Sequence, residues 1–158
     1  MSLEWLPSAL VGLEFEFYGG ANEEAIRAAS NSINLPFPPG YVEFLRRYGS
    51  GFISYQELIG LGGPAHLDVA QQTAHLRTHS RVSPFPLQLI PLLADGYGNY
   101  ECLDASSKDS AAEFPVVQWL HDGGDQQALT TLALSYEDWL RDLVRQIRAV
   151  ETGDQQKG

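Results

Sequence analysis

The sequence predicts an α+β fold in which a mainly antiparallel sheet is wrapped by helices. Helical periodicity occurs early in the chain and again near its end, and strand-length runs separated by turns fill the middle. No linker or internal repeat divides the 158 residues, and a chain of this length can bury a substantial core. We therefore expect one domain over 1–158, with an N-terminal segment at 1–20 and a disordered polar tail at 151–158.

The first predicted elements are a strand and a helix. The proline of Trp5-Leu6-Pro7 is expected to break any helix there, and residues 13–18 alternate apolar and acidic side chains, as a half-buried strand does. Asn22 is a good N-cap, and two glutamates follow it at the positive end of the helix dipole. The helix is expected to end before Pro36.

A second helix, a short strand and a third helix are predicted next. Proline is well tolerated in the first turn of a helix, so Pro39 favours a helix that runs to Tyr48, where glycines stop it. The composition of residues 52–59 favours one short strand. Asp68 can cap a third helix that ends near His79.

A β-hairpin is predicted for the central stretch, residues 89–104. Two strand-length runs flank Asp95-Gly96-Tyr97-Gly98, whose glycines supply the positive φ values that a tight reversal needs. The turn is expected to have four or five residues. Cys102 falls within the second strand and, as a lone cysteine, is expected to be a small buried hydrophobe.

The last predicted elements are a strand, a turn and a long helix. Residues 115–120 have the composition of a strand, and 121–125 have that of a turn. Ser135 begins a sequence that resembles a capping box, and apolar residues then recur at helical spacing to about Val150.

The charge balance disfavours two classes of partner. The 20 acidic residues outnumber the 10 lysines and arginines, and the resulting net charge of −10 repels nucleic-acid phosphates and anionic membranes. We therefore expect no nucleic acid and no membrane as a partner. Between Asp95 and Asp138 the only lysine or arginine is Lys108. This acidic excess is explained either by solubility or by a negative surface that steers a basic protein partner.

No targeting signal is visible in the sequence. The first 20 residues lack a basic leader and contain three glutamates, and no apolar run has the length of a membrane span. We expect a cytoplasmic protein.

No group of residues has the pattern of a catalytic or metal centre. His75 and His79 are four residues apart on a predicted helix, but the segment lacks the glutamate of a zinc protease and a nearby third ligand. His121-Asp122 could form an acid–base pair, although neighbouring residues on a strand point to opposite faces. We expect no catalytic residue, no cofactor and no metal, and keep a small hydrolase built on His121 only as an alternative.

Four segments, taken in order, resemble one known family. Residues 37–51 read FPPGYVEFLRRYGSG, 89–104 read LIPLLADGYGNYECLD, 115–122 read PVVQWLHD, and 135–140 read SYEDWL. This order of motifs is similar to that of the SUKH superfamily of Smi/Knr-type proteins, and the resemblance extends over about residues 22–148.

The resemblance implies both a fold and a role. It implies an antiparallel sheet wrapped by helices, without catalytic residues. Many bacterial members of the superfamily are immunity proteins that neutralise toxins, and others, notably in fungi, are linked to cell-wall regulation through protein contacts. We therefore expect a monomer or weak homodimer that inhibits a basic toxin domain, such as a nuclease, by stoichiometric binding. The alternative is a regulatory interaction scaffold that is unrelated to toxins.

The expected partner contacts lie on the hairpin and on the turn that follows the next strand. Acidic residues suit a basic toxin, and tyrosines bury a large area with little loss of rotamer entropy. The expected contact residues are Asp95, Tyr97, Tyr100, Glu101, Asp104, His121, Asp122 and Asp125. The alternative for each of them is a solvated turn position.

Overall fold

A computed structural model of the chain describes residues 3–80, 82–108 and 111–157. The helices are α1 (Leu6–Ala9), α2 (Glu23–Ile33), α3 (Pro39–Arg47), α4 (Val69–His79) and α5 (Tyr136–Lys157), with a short 3-10 helix at Ala65–Leu67. The strands are β1 (Phe15–Phe17), β2 (Gly51–Ile53), β3 (Gln56–Leu58), β4 (Leu89–Ala94), β5 (Tyr100–Asp104), β6 (Val116–Trp119) and β7 (Thr130–Ala133).

The strands form two antiparallel sheets. The first sheet has the order β1-β2-β3, and the second has the order β4-β5-β6-β7. The two are joined next to β3, where the backbone N–H of Ile59 donates to the carbonyl of Leu92 at 3.0 Å. Five helices and two antiparallel sheets confirm the predicted α+β class within the described residues.

The predicted helix caps are confirmed by their hydrogen bonds. The side chain of Asn22 accepts from the N–H of Ala25 at 2.8 Å, and Asp68 accepts from the N–H of Gln71 at 2.9 Å. The hydroxyl of Ser135 accepts from the N–H of Asp138 at 3.1 Å, which begins α5. Each cap satisfies an amide that has no partner inside its own helix.

The expectation that Trp5-Leu6-Pro7 breaks a helix is wrong. Pro7 lies in the first turn of α1, where its missing N–H costs no hydrogen bond. The helix buries Leu6 completely and is followed by Leu10, which is also buried in the main core. The guanidinium of Arg148 in α5 donates to backbone carbonyls of this segment, including that of Val11 at 2.8 Å.

One predicted strand is wrong, and one strand of the structure was not predicted. Residues 52–59 do not form one strand, because the chain reverses at Ser54, whose φ is +55°, and separates β2 from β3. Strand β7 was not predicted; its four residues are mostly exposed and lack the alternation of apolar and polar residues by which a strand is recognised.

The predicted end of the last helix near Val150 is also corrected by the structure. Helix α5 does not end near Val150 but continues to Lys157. The hydroxyl of Ser54, at the β2–β3 turn, donates a hydrogen bond to the carboxylate of Glu151. A contact between residues this far apart in sequence cannot be detected from the local pattern.

Two hydrophobic clusters hold the elements together. The main core joins α1, α2, α3 and α5 to strands of both sheets, and its aromatic centre includes Tyr41 and Tyr136, whose ring centroids are 5.1 Å apart. A smaller cluster lies between α4 and the four-stranded sheet. It contains Trp119 and Cys102. The burial of Cys102 confirms that it is a small buried hydrophobe, and it lies in β5, the second hairpin strand, as predicted.

Candidate protein-binding surface

The tip of the central hairpin, residues 95–99, is shaped by the side chain of Asp95. Its carboxylate accepts from the N–H of Tyr97 at 2.7 Å, from the N–H of Asn99 at 3.1 Å and from the side-chain amide of Asn99 at 2.8 Å. This is the Asx-type turn that an Asp followed by glycines favours, and the loop has five residues, within the predicted four or five.

The same hydrogen bonds set the charge state of Asp95. Partial burial by itself would raise the pKa of this carboxyl group. The amide donors of Tyr97 and Asn99, with the nearby His121, outweigh that effect and hold the pKa of Asp95 below its ordinary value. Asp95 is therefore negatively charged at neutral pH.

A long-range contact joins the tip to the turn at 121–125. The side-chain oxygen of Asn99 accepts from the backbone N–H of His121 at 3.1 Å and from its Nδ1 at 2.9 Å. Gly98 permits this approach, because its φ is +96° and a Cβ added there would lie only 3.1 Å from the His121 ring. The structure thus brings the two predicted contact segments into one surface.

Glu101 has a different environment from the tip residues. It is half-buried, and its carboxylate accepts from the indole N–H of Trp139 in α5 at 3.0 Å. Burial raises the pKa of Glu101, the Trp139 hydrogen bond opposes this shift, and the charge of Asp95 adds to it. Glu101 is predicted to be a partner contact, and its hydrogen bond with Trp139 also attaches the hairpin to α5.

The remaining predicted residues divide into two groups. The first group is open to solvent: Tyr97 is 82% exposed at the tip, and Asp122 and Asp125 are exposed on the turn beside it. Asp104 lies at the opposite end of β5, roughly 13 Å from Tyr100 at the rise of a strand, where it accepts from the backbone and hydroxyl of Ser106. The structure therefore separates Asp104 from the other predicted contacts.

A cavity of about 540 Å³ lies between β3 and the hairpin. We call it the acidic cavity. Its charged lining residues are Glu57, Asp95 and Glu101, and no lysine or arginine is among the described residues around it. The residues that line the acidic cavity are Tyr55, Gln56, Glu57, Ile59, His66, Leu67, Gln72, Leu93, Ala94, Asp95, Gly96, Tyr100 and Glu101.

The sequence did not predict the half of the acidic cavity that comes from β3 and the 3-10 helix. In this half Nε2 of His66 lies 2.6 Å from a carboxylate oxygen of Glu57, and the ring of Tyr55 is more than half exposed. These residues are 29 to 40 positions before Asp95, and no local signal connects such distant segments.

A second cavity, about 310 Å³, lies between α4 and the hairpin tip. We call it the imidazole cavity, because three of the four histidines of the chain line it. Its lining residues are His75, Leu76, His79, Ser80, Val82, Gly98, Tyr100, Trp119 and His121. Tyr100 borders both cavities, so the two are neighbours on one side of the molecule.

The described residues contain neither a metal site nor a membrane-spanning helix. No group of three or more His, Cys, Asp or Glu residues among them could hold a metal ion. No helix in 3–80, 82–108 or 111–157 is both long and apolar enough to cross a bilayer. Burial raises the pKa of Cys102 well above its ordinary value, which suppresses the thiolate that nucleophilic chemistry requires.

The chain matches a known protein family over most of its length. Residues 13–145 match the model of a protein family described as SUKH_5, SMI1-KNR4 cell-wall. The match covers most of the chain, from the residues before β1 into α5. A search of curated proteins found no match.

Proposed function

This chain belongs to the SMI1-KNR4 family, SUKH_5, and on that premise we propose that it is an immunity protein, which neutralises a basic toxin by binding it in a stoichiometric complex. Membership in the family supports a protein-interaction domain with a protein partner. The immunity role is the specific form of that function that the charge and the shape of the hairpin surface favour. The proposed action is occlusion of the toxin, without a chemical step.

The observation that carries this proposal is the acidic cavity beside an exposed hairpin tip. Glu57, Asp95 and Glu101 surround a cavity that can accept a lysine or arginine side chain, and Ile59 and Leu93 offer apolar contacts for its stem. The net charge of −10 attracts a basic protein over a longer range and speeds its encounter. A nuclease domain, which must itself bind phosphates, has the complementary charge.

The tip supplies the second part of the proposed interface. Tyr97 is a large, exposed aromatic side chain on a turn that Asp95 has already ordered. Because the backbone is fixed in advance, a partner that buries this ring loses little conformational entropy. Asp122 and Asp125 extend the negative surface on the adjoining turn.

The proposal is tested by recovering the partner. The tagged chain is purified from the organism that encodes it, and the proteins that remain bound are identified by mass spectrometry. We expect an equimolar basic protein with a toxin domain, whose killing of a sensitive strain is relieved when this chain is co-expressed. A recovered toxin whose killing is not relieved would contradict the proposal.

A charge-matched pair of variants then locates the surface. Asp122→Lys with Asp125→Lys should weaken binding of the toxin, because both changes lie next to the tip. Glu14→Lys with Glu24→Lys changes the net charge equally at exposed positions on other elements and serves as the control. Equal loss of affinity in both double variants would mean that only the overall charge matters, and that the proposed surface is wrong.

A second function is favoured by the description of the family, which refers to the cell wall. Under this alternative the same surface binds a regulatory protein that has no toxic activity. The purification separates the two functions, since it would then recover an enzyme or regulator of cell-wall metabolism and no toxin.

A further inference from the structure

A small cavity, about 170 Å³, lies where the α1 segment meets α5, and three arginines line it. We call it the arginine cavity. No aspartate or glutamate is among the described residues around it. The whole chain has only 10 lysines and arginines against 20 acidic residues, so this cavity concentrates positive charge in an acidic protein. Its lining residues are Trp5, Ala9, Arg141, Val144, Arg145 and Arg148.

The spacing of the three arginines along α5 is unfavourable by itself. Arg145 follows Arg141 by four residues and Arg148 follows three residues later, so the three side chains lie on one face of the helix. Like charges at this spacing repel each other and destabilise a helix. Glu137 pairs with Arg141 and Asp142 pairs with Arg145, and two carboxylates against three guanidinium groups leave a positive excess. An anion in the arginine cavity would balance this excess.

Two of the guanidinium groups are held in place by other parts of the chain. That of Arg141 lies over the ring of Trp5, 4.2 Å from its centroid, and its Nη2 donates to Glu137 at 3.1 Å. Nη2 of Arg148 donates to the carbonyl of Val11 at 2.8 Å. Each guanidinium has five N–H donors, so these bonds leave others for a ligand. Because the groups are already ordered, binding of an anion costs little side-chain entropy.

This lining favours a phosphate group over a carboxylate. A phosphate monoester carries a charge of about −1.5 to −2 at neutral pH and three terminal oxygens that accept hydrogen bonds, so it can contact several guanidinium groups together. A carboxylate has a single charge and two oxygens, which match the fork of one arginine. The volume is below the roughly 300–1,000 Å³ of pockets for drug-sized ligands, so the cavity itself accommodates one phosphate group.

The net charge of −10 acts against a polyanion more than against one phosphate group. At physiological ionic strength, salt screens charges that are more than about 8 Å apart, whereas charge-assisted hydrogen bonds act at contact. A nucleic acid would bring many phosphates against the acidic surface and is still disfavoured. The positive charge of this cavity is therefore effective only for a small anion or a single phosphorylated group.

We propose that the arginine cavity binds a single phosphate group, with Arg141, Arg145 and Arg148 as the hydrogen-bond donors. The family match does not assign this site, because Trp5 and Arg148 lie beyond the ends of residues 13–145. None of the residues that line the arginine cavity lines the acidic cavity. The inference is therefore independent of the proposed toxin-binding function.

The test titrates the intact ¹⁵N-labelled chain with inorganic phosphate and follows it in a two-dimensional ¹H–¹⁵N spectrum. The reporter is the indole N–H of Trp5, which donates to Glu137 at 3.1 Å beside the cavity. Chloride keeps the ionic strength constant, and acetate is the matched carboxylate probe. We expect phosphate to shift the Trp5 indole signal in a saturable way, and acetate to shift it far less.

A charge-matched pair of variants locates the site. Arg145→Gln, at an exposed position of α5, should weaken phosphate binding about tenfold, because charge-assisted hydrogen bonds are lost. Arg27→Gln, at an exposed position of α2, removes the same charge elsewhere and should leave the affinity unchanged. Both changes are at the surface, where substitutions have little effect on stability.

A phosphorylated peptide identifies the source of the phosphate group. The probe is acetyl-Gly-phosphoserine-Gly-amide, and its affinity is compared with that of inorganic phosphate under the same conditions. Tighter binding of the peptide would indicate a phosphorylated protein chain as the natural ligand. Equal or weaker binding of the peptide would indicate free phosphate.

Three results would overturn the inference. They are no saturable movement of the Trp5 signal with either phosphate probe, movement of equal size with acetate, and a loss of affinity in the Arg145 variant no greater than in the Arg27 variant. The last result would mean that only the overall charge matters. Failure here leaves the proposed function untouched, since neutralisation of a toxin is measured separately and on a different surface.

Discussion

Two carboxylates of the same hairpin, six residues apart, have opposite environments. Asp95 at the tip is exposed, is held by neighbours in its own loop, and has a lowered pKa. Glu101 in β5 is half-buried, is held by a tryptophan 38 positions away, and has a raised pKa. The turn at the tip is thus formed by local hydrogen bonds, with one longer contact from Asn99 to His121, whereas Glu101 in β5 is held by a residue from a distant part of the chain. A hairpin built in this way can present a rigid tip without burying it.

The largest expected effect comes from removing the long-range contact. Trp139→Ala should reduce the free energy of unfolding by about 3–5 kcal/mol, because it opens a large cavity in the core and leaves Glu101 without its donor. Tyr97→Ala, at the exposed tip, should change it by less than about 0.5 kcal/mol. Urea unfolding followed by circular dichroism measures both. The contrast between the two regions fails if the Tyr97 variant is the less stable one.

A smaller effect is expected within the tip itself. Gly96 and Gly98 both have positive φ, so an alanine at either position should cost about 1–2 kcal/mol of stability. At Gly98 the new Cβ would also meet the His121 ring at 3.1 Å, whereas at Gly96 it would meet nothing within 4 Å. Gly98→Ala should therefore be the more destabilising change and should also alter the His121 signals in an NMR spectrum. Equal losses would show that the contact between tip and turn contributes little.

The smallest effect is on the pH dependence of stability. Since folding lowers the pKa of Asp95, the stabilisation that this group provides is complete above its ordinary pKa and is lost as the pH falls through the lowered value. Folding raises the pKa of Glu101, so stability declines as the pH rises from the ordinary glutamate pKa through the raised value. A ¹³C titration of the side-chain carboxyl groups measures both pKa values. Two values shifted in the same direction would contradict the contrast.

The parts of the fold that could be predicted from the sequence are those with short-range causes. Asn22, Asp68 and Ser135 were identified as caps because each donor lies three residues further along the chain. The hairpin turn was predicted for the same reason, since Asp95 binds amides two and four residues away. The errors at α1 and at the end of α5 arose where a distant contact stabilises an element whose local pattern is ambiguous.

The candidate surface was predicted only in part. The acidic tip and the turn at 121–125 were expected to act together, and the Asn99–His121 hydrogen bond joins them in the structure. Glu57 and His66, which complete the acidic cavity, were not expected, nor was the meeting of His75 and His121 in one cavity. Cavities form where segments from different parts of the chain face each other, and the sequence alone gives no distance between such segments.

The sequence by itself determined the α+β class, the family, the helix caps and the turn of the hairpin, because these depend on residue order over short distances. The tertiary structure alone decided which distant groups satisfy each other. Pro38 precedes α3 and gives it no side-chain cap. The backbone N–H of Gly40, in the first turn of this helix, instead donates at 3.0 Å to the buried carboxylate of Glu113, which lies 73 residues after Gly40. The physical reason is that a buried polar group must find a partner wherever the fold brings one, at any separation along the chain.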